Sequence, residues 1–413
     1  MLINYIKIAW KVLGRNRFFT FVSLFGISLT IGVLVIVSAF LDQILNPSYP
    51  NLKNDRTLYI TNVQVQDDEG STSISGSSYY LASDYIKSLK TPEKVGFISF
   101  GNTTNTFVGN KKLQLTQKLC DPIFWEITEF QFIDGKPFDQ SHIDRNEYVA
   151  VITQNTAKDY FGTDQGVIGK SIESDNTTYK VIGIVKDVPS YQFISDADIY
   201  LPYHLTKSDL KRKDLIGQYT CLLLAKDKSA IPAIKAEVKS IIPKVVFPPE
   251  AWYKHLDIQV GTKTELMSKV FTGGELNEAS VRYLYLFLIA AMLLFMLLPT
   301  LNLVNLNSSR ILERASEIGV RKAFGATSNT LTVQFIIENV IITLIGGLVG
   351  LVIAAVFLYI IQDSGIIPNA ILSINYRVFL FGILLCLVFG ILSGVIPALR
   401  MSKLSIVNAI KIK

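Results

Sequence analysis

Histidine and cysteine are scarce in this chain of 413 residues, with three of each. His142, His204 and His255 are scattered, none belongs to an HExxH run, and no paired cysteines accompany them, so the patterns of a zinc hydrolase or a structural zinc site are missing. No GxSxG turn is present to carry a nucleophilic serine. Surface histidines are the plain reading. Charge is sparse as well: Asp, Glu, Lys and Arg make up 18% of the residues against 49% hydrophobic types, and the mean hydropathy is positive. That balance argues for a membrane protein rather than a soluble two-domain chain of the same length. Cys386 falls in an apolar run, which leaves Cys120 and Cys221 as the pair an oxidising compartment could join. Spacing leaves both a disulfide and two separate buried thiols open.

What the chain holds in quantity is apolar length. Runs at 18–41, 283–306, 333–361 and 378–399 can each cross a hydrocarbon core of about 30 Å, and only the third contains an acid, Glu338 near its start. Residues 42–282 have ordinary globular composition and suffice to bury a core of their own. The expected fold is therefore a membrane protein: four transmembrane α-helices with a large mixed α/β extracytoplasmic domain between spans 1 and 2. A cleaved signal peptide ending at Val37-Ser38-Ala39 is the alternative for the first run. That run is longer than the roughly 7–15 residues of a signal core, so an uncleaved anchor is expected.

Basic residues in short loops stay on the cytoplasmic side, and this orients the spans. Lys7, Lys11, Arg15 and Arg17 precede the first run, Arg310, Arg314, Arg321 and Lys322 follow the second, and Arg400, Lys403, Lys411 and Lys413 follow the fourth. Residues 42–281 hold 26 Lys and Arg against 30 Asp and Glu, a net −4, and belong outside. The formal +6 of the whole chain thus adds two compartments and carries no nucleic-acid signal. The cytoplasmic pieces would sit against anionic lipid head groups.

Along the chain, residues 1–17 read as an amphipathic cytoplasmic helix, because Ile3, Ile6, Trp10 and Leu13 recur at helical spacing. In the outer domain the segments 57–65, 148–153, 179–188 and 219–225 read as strands, and 81–90, 153–162 and 230–242 as helices. The Ser- and Gly-rich stretch 67–78 reads as a mobile loop. Residues 263–282 read as a stalk helix leading into the second span, with a flexible point at Gly273-Gly274. Pro299, Asn302, Asn305 and Asn307 give the second span a kinked, polar inner end. Small residues recur every four positions, at Gly346, Gly350 and Ala354 in the third span and at Gly382, Cys386, Gly390 and Gly394 in the fourth. Such faces let helices approach closely in lipid, either within one chain or between copies. The string GTDQGVIGKS (162–171) ends like a phosphate loop, yet Asp164 stands where the first glycine is required.

The loop between spans two and three, 307–332, is the informative segment. Ile311, Ala315 and Ile318 share one helical face, Glu313 and Glu317 another, and Gly319 and Gly325 break or turn it. Its string ERASEIGVRKAFGAT, followed by QFIIEN and GGLVG, resembles the signature of MacB-like and FtsX-like ABC transporter permeases. GVIPALRMSKLSIVNAIK at the end, with GKPF, FG, IGKSI and VIGIVKDV in the outer domain, is similar to the same family. The resemblance covers nearly the whole chain.

The resemblance implies a non-catalytic subunit of a bacterial inner membrane, with both termini cytoplasmic and the large domain periplasmic. It binds no cofactor itself, ATP being bound by a cytoplasmic ABC ATPase partner. A second permease copy or paralogue completes the assembly, with a periplasmic adaptor and outer-membrane channel as further partners. It also implies an inserted subdomain at about 120–217, a short outer loop at 362–377 and a cytoplasmic tail at 400–413. Glu313, Arg314, Glu317, Ile318, Gly319, Arg321, Lys322, Ala323, Gly325 and Ala326 become the residues expected to couple to the ATPase. Motion of the outer domain would then drive export of a peptide, lipoprotein or hydrophobic drug. An FtsX-like regulator of a cell-wall hydrolase and an antimicrobial-peptide sensing or resistance permease are the alternatives.

Overall fold

The computed structural model describes residues 17–108, 111–273, 276–313, 320, 321, 323–325 and 327–370, and parts of 372–395. They form two compact units, one made of residues 43–284 with 367–370 and the other of the remaining helices. The expected N-terminal helix and tail lie outside the described residues.

The first unit is built on a 13-stranded sheet. Its strands are β1 (Thr57–Gln66), β2 (Thr72–Ser77), β3 (Lys94–Ser99), β4 (Asn102–Val108), β5 (Lys111–Cys120), β6 (Phe132–Gly135) and β7 (Val149–Thr153). They continue with β8 (Ser171–Ser174), β9 (Thr177–Val185), β10 (Ile199–Pro202), β11 (Ile216–Gly217), β12 (Tyr219–Leu224) and β13 (His255–Thr262). The order is β11-β2-β1-β12-β3-β5-β10-β7-β9-β6, with β13 also on β1, β4 on β5 and β8 on β9. Pairing is antiparallel except for β5 with β10 and β7 with β9.

Described helices, in chain order, are α1 (Arg17–Leu45), α2 (Pro122–Ile127), α3 (Gln140–Asp144), α4 (Gln154–Phe161) and α5 (Ile231–Ile241). Then come α6 (Lys263–Thr272), α7 (Glu278–Glu313) and α8 (Ser328–Ser364).

Local chemistry accounts for where the helices begin and end. Asp121 caps α2 ahead of Pro122, and Thr153 caps α4, which stops at the left-handed Gly162. Thr262 and Glu265 form a reciprocal capping box at the start of α6.

β12 is buried along its length because the sheet is covered on both faces. Cys221 and Leu223 join Phe97, Ile234 and Val238 on one side, while Leu222 and Leu224 join Tyr59, Phe124 and Tyr200 on the other. The same alternation separates the cysteines. Cys221 stands opposite Phe97, and Cys120 opposite the next residue, Ile98. Successive residues of β3 face opposite ways, so the thiols lie in different clusters, both free and buried. The disulfide left open by spacing is therefore not formed.

Two expectations change in detail. Residues 67–78 do not form a mobile loop: β2 pairs with β1 and β11, and Ser77 is fully buried. The helix expected at 81–90 is a short π-helical turn, Leu81–Ile86. In the segment expected as an insertion, about 120–217, strands β10, β7, β9 and β6 lie together at one end of the sheet, and Val149, Val151 and Tyr200 share a cluster with Tyr59 and Leu222. At the flexible point expected in the stalk, Gly273 adopts φ +64° as the C-cap of α6, and α7 starts at Glu278.

Three helices among the described residues are long and apolar enough to cross a membrane, at Thr20–Leu45, Glu278–Phe295 and Asn329–Ser364. Residues 378–385 of the expected fourth span are helical, and most of the rest lies outside the described residues. α1 has two faces. Ile27, Ser28, Ile31, Val35 and Ala39 are buried, whereas Phe18, Phe21, Phe25, Leu29, Val33 and Val37 form an exposed apolar stripe that suits lipid contact.

Candidate functional site

Glu313, at the end of α7, opens the segment expected to meet an ATPase. Arg314, Glu317, Ile318, Gly319, Lys322 and Ala326 lie outside the described residues. Of the others, Val320, Ala323 and Phe324 are exposed, Phe324 at 88%. Gly325 adopts φ +91°, with open space where a Cβ would point. A residue with a side chain is strained in that left-handed region. Two residues on, the Thr327 hydroxyl accepts from Thr330 N at 3.2 Å and caps α8. The result is a tight turn with an apolar side chain at its surface.

Arg321 is half-buried. Its Nη1 donates to Gln334 Oε1 at 3.2 Å, and Gln334 Nε2 donates to Glu338 Oε1 at 2.9 Å. Gln334 and Glu338 are both buried, so the one acid of the third span belongs to a side-chain chain that ties the turn to α8.

The small residues make contacts within the chain. The Ser28 hydroxyl donates to Gly346 O at 2.8 Å. A Cβ on Gly346 would lie 2.9 Å from Ile27 Cγ2, and one on Gly350 2.6 Å from Ser28 O. One on Gly382 would lie 3.0 Å from Leu351 Cδ2, and Ala354 is fully buried. Gly390 and Gly394 lie outside the described residues.

The decoys resolve on geometry. In 162–171, Gly169 N donates to Val181 O and Lys170 N to Val167 O, so these amides are already used and cannot cradle a phosphate. The His142 ring pairs with Asp139 at 2.7 Å and closes the capping box of α3, and His255 lies 3.3 Å from Asp68. Burial lowers the pKa of His204. Among the described residues no group of three His, Cys, Asp or Glu could hold a metal. A groove of about 730 Å³ beside β13 is lined by lysines, of which Lys235 pairs with Glu265 and Lys269 with Gln259.

Two buried charges carry no sequence signal. Asp121 is fully buried; Oδ1 accepts from Phe97 N and Phe124 N, both at 3.1 Å, and Lys87 Nζ sits 2.8 Å from Oδ2. Burial still pushes its pKa up. Lys118 Nζ donates to the carbonyls of Phe193 and Ile194 at 2.6 and 2.9 Å, and burial lowers it to about 8.

Comparison with known proteins agrees with this layout. Residues 20–241 match the MacB-like periplasmic core domain, and residues 289–406 the FtsX-like permease C-terminal domain. The chain is 22% identical to the uncharacterized ABC transporter permease YknZ of Bacillus subtilis, over 99% of each chain. It is 24% identical to the macrolide export ATP-binding/permease protein MacB of a Shewanella strain, over 98% of this chain but 60% of that protein. The chain thus spans about 60% of the length of the MacB relatives. Among solved structures, the periplasmic region of MacB from Actinobacillus actinomycetemcomitans covers 52% of this chain and 93% of its own, at 14% identity and a TM-score of 0.39. With both domain types matched in order, core domain first and permease segment second, the chain belongs to the MacB-like, FtsX-like family of ABC transporter permeases.

Proposed function

We propose that this chain is the membrane subunit of an exporter, with ATP bound by a cytoplasmic ABC ATPase in a separate partner chain. The match to YknZ along its full length supports a permease-sized subunit. The substrate would be a peptide, lipoprotein or hydrophobic drug that reaches the α/β domain from outside the cytoplasm, with a periplasmic adaptor and outer-membrane channel as partners. Macrolide export, named for the MacB relatives, is one case of that class.

The observation that carries the reading is the turn at 320–325. Val320 and Phe324, exposed at 50% and 88%, set two apolar side chains beside a left-handed glycine, a surface that suits a docked ATPase. α7 exposes Leu286, Phe287, Leu293 and Phe295, a face that a second permease copy or lipid would cover. In this mechanism the ATPase pair closes, the turn moves with it, and α7 and α8 carry the displacement outward.

The test is co-purification from membranes that co-express the chain with its ABC ATPase. Phe324→Asp and Glu317→Lys should each release the ATPase while insertion and the fold of the outer domain persist. Gly325→Leu should act similarly, since it strains the turn. Full retention of the ATPase by all three variants would make this segment a plain connector and sink the coupling role.

A further inference from the structure

Six consecutive residues after β9 all bond other parts of the outer unit. Ser190 N donates to Pro368 O at 3.2 Å, and the Tyr191 hydroxyl to Gln43 Oε1 at 3.4 Å. Gln192 Oε1 accepts from Lys263 Nζ at 2.8 Å and from Asn51 Nδ2 at 3.2 Å, while its Nε2 donates to the Ser48 hydroxyl. The Phe193 and Ile194 carbonyls accept from Lys118, and the Ser195 hydroxyl donates to Asn51 Oδ1 at 2.9 Å. Gln192, Ser195, Asn51 and Lys263 are all at least nine-tenths buried. Close by, Asn155 N donates to Asp187 Oδ1 and Asn155 Nδ2 to Asn369 Oδ1, both at 2.8 Å.

The bonded partners share one property, which is their place in the chain. Gln43, Ser48 and Asn51 are the last residues of α1 and the segment that follows it. Lys263 opens α6, the helix before α7. Pro368 and Asn369 form the turn after α8, and Asn369 takes φ +56°, a conformation that asparagine tolerates. Three chain segments that lead to apolar helices thus meet on one loop. A buried glutamine whose amide is used on both sides is costly to break, because each freed group stays desolvated. Burial lowers the pKa of Lys263 to about 8.

We infer that loop 190–195 is the junction that makes these three segments and the α/β domain move as one piece, with Gln192 as the positioning residue at its centre. The inference goes beyond the proposed exporter role and rests on it only for the consequence in ATP turnover.

Hydrogen exchange on the full chain in lipid nanodiscs tests the junction without any ATPase. Gln192→Leu should speed exchange by about tenfold in peptides covering 46–54, 190–196 and 366–370 together, while β7 and β12 keep their protection. Gln192→Glu, which keeps acceptors for Lys263 and Asn51, should hold exchange near wild type. Acceleration confined to 190–196 would overturn the inference, since the segments would then be tethered separately.

A second arm uses the chain with its ATPase. Gln192→Leu should lose most of the change in ATP turnover that the wild-type chain confers. Linking Asn155→Cys to Asn369→Cys with a short bifunctional thiol reagent, in a chain whose native cysteines are replaced by alanine, should restore it. Loss of turnover that the crosslink fails to restore, or no loss at all, would contradict movement as one piece. A wild-type chain with no effect on turnover would instead count against the exporter reading, and the exchange arm would still decide the junction.

Discussion

At Gly350 the backbones of α1 and α8 approach so closely that an added methyl has no room. In Gly350→Ala the new carbon would start 2.6 Å from Ser28 O and 3.2 Å from Gly32 N. Both are backbone atoms that cannot rotate away. Relief requires the helices to part by several tenths of an ångström, which also stretches the 2.8 Å bond from Ser28 to Gly346 O. Overpacking of this kind costs roughly 1–3 kcal/mol. Replacing glycine by alanine in a helix returns about 0.5–1 kcal/mol, so the expected net loss is about 1–2 kcal/mol. Gly26, on the same helix α1, has nothing within 4 Å of its Cβ position, and Gly26→Ala should be neutral or slightly stabilising. Unfolding of the reconstituted chain by increasing SDS, followed by helical circular dichroism, measures both. Equal stability of Gly350→Ala and wild type, alongside a neutral Gly26→Ala, would show that this contact does not hold the helices together, and the small-residue faces would have to serve contact between copies.

Other expectations follow from the outer unit. Residues 46–278 alone should purify without detergent and melt cooperatively with mixed α and β circular dichroism, because their clusters close on themselves; an aggregated product would mean that the spans supply core. In that domain or the full chain, Asp121→Ala should cost about 3 kcal/mol, since it strips Lys87 of its buried partner and α2 of its cap; a loss under about 1 kcal/mol in chemical denaturation would refute this. Lys263 titrates near 8 when folded and near 10.4 when unfolded, so the unfolded chain binds more protons between those values. Stability contributed by this site should therefore rise from pH 8 toward pH 10, by up to about 3 kcal/mol. Lys263→Met should flatten that slope in melts across the range, and an unchanged slope would place its source elsewhere.

Much of the architecture was legible because its signals are local. The strand runs at β1, β7, β9 and β12 show as β-branched and aromatic residues, and the break after α6 shows as Gly273. β2 was hidden because TSISGS is polar and glycine-bearing, and only its pairing with β1 and β11 makes it a strand. The opposed faces of Cys120 and Cys221 depend on strand register, a non-local property. The junction at Gln192 was invisible for the same reason: its bonds link residues 71, 141 and 144 positions apart, in a segment with no motif. In the turn at 320–325 the glycine was a visible sign, whereas the engagement of Arg321 by Gln334 was not.

The claim on which the account most depends is that the α/β domain and the turn at 320–325 lie on opposite sides of one membrane. In a chain with its native cysteines replaced by alanine, Ser71→Cys and Ala323→Cys each introduce one thiol at an exposed position. Treated with a membrane-impermeant maleimide in intact spheroplasts, Ser71→Cys should label fully, while Ala323→Cys should label only after the membrane is opened. Labelling of Ala323→Cys in intact spheroplasts, with Ser71→Cys protected, would put the turn outside and contradict the coupling mechanism.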